Sequence, residues 1–156
     1  MKIFDRGSGP AVIVIPGIQG RWEWMRPGID ALSASCRVVT FSLCDEPCSE
    51  GRFDEKDGFA CYVDQVRDAL DQAHLERAAI CGVSYGGLIA AAFAARYPSR
   101  VSALVLVSAT PYFPETARAI MRHYTIDPLP PEEQRALRER HVHGGAQPEA
   151  LVAIAP

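Results

Sequence analysis

Short apolar runs alternate along this chain with longer stretches in which apolar residues recur every three or four positions. The runs are residues 11–15 (AVIVI), 37–41 (RVVTF), 78–81 (AAIC) and 101–107 (VSALVLV). Their length, their β-branched content and the Pro16-Gly17 stop after the first read as strands. Few polar positions interrupt them, which predicts a parallel sheet covered on both faces. A shorter strand is expected around Lys2-Ile3-Phe4. Between the runs, Phe59, Tyr62, Val63, Val66, Leu70 and Ala73 fall on one helix face, with Asp57 where an N-cap belongs. Residues 85–97 predict an alanine-rich helix that ends ahead of Pro98. Pro27 opens a shorter helix with Ile29 and Leu32 facing inward. Strand alternating with helix predicts an α/β fold, a doubly wound and mostly parallel sheet with right-handed crossovers.

The pattern changes after Pro111. Residues 114–124 are amphipathic, with Ala117, Ile120, Met121 and Tyr124 on one face. Pro130-Pro131 opens a charged helix over 132–140, residues 141–148 read as a loop, and 151–155 begin another element. No strand signal follows residue 110. The expected organisation is therefore an α/β core over 1–110 and a helical segment over 111–156.

Composition narrows the function. A chain of 156 residues suits one domain and buries a core without help from disulfides or metals. The net charge of −3 argues against a nucleic-acid partner, which calls for a basic patch. No apolar run reaches the roughly 18 residues needed to cross a bilayer, and no leader pattern opens the chain. A soluble, cytoplasmic protein with no membrane partner is expected. The five cysteines are odd in number, and Cys44 and Cys48 lack the paired spacing of a zinc site. No cofactor or metal is implied.

The chemistry centres on Gly82-Val83-Ser84-Tyr85-Gly86, followed by Gly87. Gly-x-Ser-x-Gly alone is a common pattern. Here a strand runs into it and a helix runs out, the setting of a nucleophile elbow. Gly82 and Gly86 supply the small residues that such a tight turn demands. Ser84 then stands at a helix N-terminus, where the dipole and free N–H groups favour developing negative charge. A glycine-rich turn with an incidental serine is the competing reading, and the flanking strand and helix argue against it. Acyl transfer needs two N–H donors on the oxyanion. The backbone N–H of Tyr85 is one candidate; that of Ile18, in the Pro16-Gly17-Ile18-Gln19-Gly20 loop, is the other.

Over residues 2–110 the sequence resembles the α/β-hydrolase family. The resemblance rests on the elbow, on Gly7-Ser8-Gly9-Pro10 before the first strand, on Pro16-Gly17 where the family usually has His-Gly, and on Tyr97-Pro98 before the fourth strand. Ser42-Leu43-Cys44-Asp45-Glu46-Pro47 departs from the Asp-x-x-Gly-x-Gly-x-Ser stretch of many members. The resemblance implies a Ser84 nucleophile followed by an acid and then a histidine, each after a later strand. Glu115, Asp127, Glu132, Glu133, Glu139 and Glu149, and His123, His141 and His143, follow no strand-like run. His74 reads as a surface residue at a helix end.

The expected protein is thus an α/β-hydrolase-type core that stops after the strand following the nucleophile helix, with the start of a helical cap. Its substrate would be a small molecule with an ester, thioester, lactone or carbon–carbon bond to cleave. Serine in place of aspartate argues against dehalogenase or epoxide-hydrolase chemistry. This chain by itself is expected to be inactive or nearly so. Two alternatives stand beside the enzyme. One is a hydrolase-like scaffold that binds a ligand without turnover. The other is self-association through the open edge of the fourth strand. Trp22 and Trp24, and Tyr112 and Phe113, are candidates either for lining the pocket or for packing.

Overall fold

The computed structural model describes residues 1–110 together with 112, 115 and 116. Met1–Pro111 and Tyr112–Pro156 are two separate compact units, and all elements below belong to the first. Residues 115 and 116 are helical; the rest of the helices expected at 114–124 and 132–140 lies outside the described residues.

Five strands form one sheet in the order β1-β3-β2-β4-β5. They are β1 (Phe4–Arg6), β2 (Ala11–Ile15), β3 (Arg37–Thr40), β4 (Ala78–Val83) and β5 (Val101–Val107). β2 runs parallel to β3 and β4, and β4 parallel to β5. β1 is antiparallel to β3, pairing Phe4 with Thr40, and it lies two residues beyond its expected position. β4 continues two residues further than expected, so that the strand itself carries Gly82 and Val83 up to Ser84.

Three helices link the strands: α1 (Arg26–Leu32), α2 (Phe59–Gln72) and α3 (Tyr85–Arg96). Strand side chains alternate between faces, so consecutive apolar residues feed two cores. Ile13, Ile15, Val39, Phe41 and Ile80 pack with Val66 and Leu70 of α2 and with Ile89 and Phe93 of α3. Val14 and Val38 face the other way and pack with Ile29 of α1. Helices on both faces make the sheet doubly wound.

Several expectations are corrected. Leu32 is 37% exposed and Phe59 40% exposed, because each sits at a helix end beyond the sheet it was expected to cover. Asp57 does not cap α2. The N-cap is Gly58, whose φ of 51° no β-branched residue would tolerate, and it makes no side-chain cap bond. Gln65 takes a core position that polarity alone argues against. Its Nε2 donates to the Ser42 carbonyl (2.9 Å) and holds the loop after β3. Coverage on both faces fails at β5, where Leu104, Val105, Leu106 and Val107 are between 41% and 47% exposed. Among the described residues that strand pairs on one side only.

Arginines secure the end of α2. Arg37 grips Asp5 through Nε (3.1 Å) and Nη2 (2.6 Å), and donates to the Ala73 carbonyl (3.0 Å). Arg100 donates to the carbonyls of Glu76 (2.7 Å) and Leu75 (3.1 Å) and to Asp71 (2.6 Å). These cations sit where the helix dipole is negative. The same turn holds His74 at φ 55°. Leu75 N–H reaches Leu70 O (2.8 Å) and His74 N–H reaches Asp71 O (3.1 Å), the paired bonds of a Schellman ending. A left-handed residue with a Cβ costs about 1–2 kcal/mol, part of which glycine returns as unfolded-state entropy. His74→Gly is therefore expected to raise the melting temperature by about 1–4 °C, read by thermal denaturation.

Candidate active site

Ser84 joins β4 to α3 with φ 53° and ψ −115°. A serine rarely adopts this conformation, and holding it costs about 1–3 kcal/mol. Three contacts impose it. Ser84 N–H donates to the Val107 carbonyl of β5 (2.8 Å), and Gly87 N–H donates back to the Ser84 carbonyl (2.9 Å). The third is steric. A Cβ at Gly82 would land on the Gly86 carbonyl, and one at Gly86 would land on the carbonyls of Ile15 and Pro16. A Cβ at Gly87 would strike the Ala109 side chain just past β5. The glycines let α3 begin directly against the ends of β2 and β4, and Ser84 is left exposed at the helix start.

The loop after β2 lies alongside. A Cβ built on Gly17 would be 3.6 Å from Ser84 Cβ. The loop closes on itself through Gly20 N–H to Gly17 O (2.9 Å), with Gly20 at φ 73°. No hydrogen bond occupies the N–H of Ile18 or of Tyr85 among the described residues. The Ile18 side chain is 74% exposed.

The Tyr85 ring turns toward α2. It meets Tyr62 edge-on at 5.7 Å and Phe59 at 6.0 Å, and Phe53 lies 5.5 Å from Tyr62. Burial, then a hydrogen bond to Asp45, pushes the Tyr62 hydroxyl well above the usual tyrosine range. Burial and the nearby Asp45 charge raise Tyr85 as well. Both hydroxyls stay protonated at neutral pH, so neither serves as a base there. Burial also pushes the Cys44 thiol up to about 12, which leaves it unreactive. This group of side chains escapes sequence reading, since nothing in the spacing of 45, 53, 59, 62 and 85 announces that they meet.

Trp22 stacks on Phe4 at 4.4 Å and packs against the smaller core, so it belongs to the packing alternative. Tyr112 is exposed; Phe113, the later histidines and Asp127, Glu132, Glu133, Glu139 and Glu149 lie outside the described residues. His74 is the one histidine among the described residues. It precedes β4 and Ser84 follows it, so the six-residue strand separates them by about 20 Å.

The alpha/beta hydrolase fold model matches residues 10–139. The chain belongs to the α/β-hydrolase family. It is 34% identical over 120 residues to a 2-hydroxymuconate semialdehyde hydrolase of a Pseudomonas species, covering 74% of this chain and 42% of that protein. A hydrolase from Pseudomonas aeruginosa superposes with a TM-score of 0.69 at 21% identity, over 99% of this chain and 57% of that one. An epoxide hydrolase of Bacillus megaterium gives 0.62 at 20% identity, over 69% and 38% of the two chains. These two likenesses concern the fold. The chain spans about two fifths of the length of the curated relatives it matches, 40% and 42% in two cases.

Backbone strain at Ser84 and the contact at Gly86 make opposite predictions. Ser84→Gly removes the cost of a positive φ and is expected to stabilise the fold by about 1 kcal/mol, while Ser84→Ala changes it by under about 0.5 kcal/mol. Gly86→Ala forces a Cβ into backbone carbonyls and is expected to cost about 2–4 kcal/mol. Urea denaturation of the three variants reads all of this.

Proposed function

We propose that the protein is a serine hydrolase in which the Ser84 hydroxyl attacks a carbonyl carbon. The observation that carries this reading is an exposed serine, held at a left-handed φ on a strand-to-helix turn, close to the loop of Ile18, with the N–H groups of Ile18 and Tyr85 unbonded among the described residues. In the proposed mechanism Ser84 Oγ bonds to the carbonyl carbon and its proton passes to a base. The backbone N–H groups of Ile18 and Tyr85 hold the oxyanion, and the dipole of α3 adds to their field. Gly82 and Gly86 serve by absence, since a side chain on either would move Ser84. The leaving group then takes the proton, and water releases the acyl group. This scheme uses no cofactor or metal ion.

The substrate is a small molecule with an ester, thioester, lactone or activated carbon–carbon bond. The relative that hydrolyses 2-hydroxymuconate semialdehyde, a carbonyl compound, supports an electrophile of this kind. The base and its acid partner are assigned to parts of the protein other than 1–110, because His74 stands at the wrong end of β4.

The test compares the 156-residue chain with the product of the complete coding region. The chain alone is expected to hydrolyse p-nitrophenyl acetate no faster than its own Ser84→Ala variant. The complete product is expected to turn the ester over and to lose about 10⁴- to 10⁶-fold of that rate on Ser84→Ala. A complete enzyme indifferent to Ser84→Ala would refute the assignment of the nucleophile. Rapid turnover by the chain alone, abolished by the same substitution, would refute the need for a base from elsewhere.

A further inference from the structure

Among the described residues, four that are not glycine hold a positive φ: Glu50, His74, Ser84 and Ser108. Glu50 and His74 each end a helical turn, where a left-handed residue is ordinary. Ser84 is the elbow. Ser108, at φ 49°, follows a strand rather than a helix. A strained conformation that no helix ending explains points to a functional constraint.

Its placement fits one. β4 and β5 run parallel and pair Val83 with Val107. Ser84 and Ser108 are therefore the next residues of neighbouring strands, with backbones about 5 Å apart. The contacts on either side of Ser108 both go to the elbow. The Val107 carbonyl accepts the Ser84 N–H (2.8 Å), and a Cβ on Gly87 would strike the Ala109 side chain. Ser108 itself is exposed, and its hydroxyl makes no hydrogen bond among the described residues. Because β4 lies between β2 and β5, the Ile18 loop flanks Ser84 on one side and Ser108 flanks it on the other. An oxyanion held by the Ile18 N–H points toward β2. The acyl chain on the same carbon is left the β5 side, where the Ser108 hydroxyl offers a donor.

We propose, on the reading of Ser84 as the nucleophile, that Ser108 is a substrate-binding residue. Its hydroxyl donates a hydrogen bond to an oxygen on the carbon next to the scissile carbonyl, which favours 2-hydroxy and 2-oxo acyl compounds over their hydrocarbon counterparts. The test uses the product of the complete coding region and two esters of one shape. Ethyl lactate and ethyl isobutyrate differ by a hydroxyl against a methyl group on the carbon beside the carbonyl. The quantity read is kcat/KM for the lactate divided by kcat/KM for the isobutyrate. Ser108→Gly removes the hydroxyl and suits the positive φ, and it is expected to lower this ratio about three- to tenfold. Ser108→Ala is expected to lower it equally, since it lacks the hydroxyl while keeping a Cβ at a left-handed φ. An unchanged ratio overturns the proposal, whether or not both rates fall together. A fall in Ser108→Gly that Ser108→Ala does not share also overturns it, because the effect then belongs to the backbone. So does turnover of neither ester. The nucleophile is judged separately on p-nitrophenyl acetate, which carries no such oxygen. Turnover lost there in Ser84→Ala, beside an unchanged ratio in the Ser108 variants, removes the role of Ser108 and keeps that of Ser84.

Discussion

The arrangement around Ser84 depends on how closely the first turn of α3 approaches the ends of β2 and β4. A helix with side chains at its second position could not start there, because the carbonyls of Ile15 and Pro16 already fill the space. Removing the Cβ at 82 and 86 closes that gap, and the backbone between them has one way to turn. Ser84 is driven to a positive φ as a consequence. The strain of about 1–3 kcal/mol is small against the packing of Ile15, Ile89 and Phe93 around the same junction, so the fold absorbs it.

The junction is braced from both sides of β4. The Ile18 loop lies on the β2 side, and on the other the Val107 carbonyl accepts the Ser84 N–H. β5 therefore does more than extend the sheet. It fixes the backbone of the serine through one bond and meets Gly87 through Ala109. Four consecutive large apolar residues along it, Leu104 to Val107, are partly exposed. The strand that orients the candidate nucleophile is thus also the least covered strand of the sheet.

The electrostatics divide along the same lines. Ser84 stands at the start of α3, where the Tyr85 N–H is unbonded among the described residues, an environment for negative charge. Around α2 and the loop after β3, carboxylates of Glu50, Asp54, Asp57, Asp64 and Asp68 stand with Arg52 and the Met1 amino group. Tyr62 and Tyr85 lie between, packed edge-on and held protonated by burial and by Asp45. His74, the one histidine among the described residues, lies at the far end of β4 from Ser84. The chain spans about two fifths of the length of the relatives it matches, and the elbow with both proposed oxyanion donors lies within residues 18–85.

The sequence by itself determined the strands, the helices between them and the glycine-flanked serine at a strand-to-helix junction. Each of these is local. Periods of two and of three to four residues follow from backbone geometry, and a tight turn tolerates few residue types. The family was legible for the same reason, since its motif is a short run of residues in order. Only tertiary structure decided that β1 runs antiparallel, that Gly58 rather than Asp57 starts α2, and that Leu32 and Phe59 stay partly exposed while Gln65 is buried. It also decided that Asp45, Phe59, Tyr62 and Tyr85 meet. These outcomes depend on which surfaces touch after the chain has crossed the sheet. Hydrophobic spacing specifies a face for each helix, but not where that helix ends over the sheet or which polar atom a neighbouring loop will satisfy.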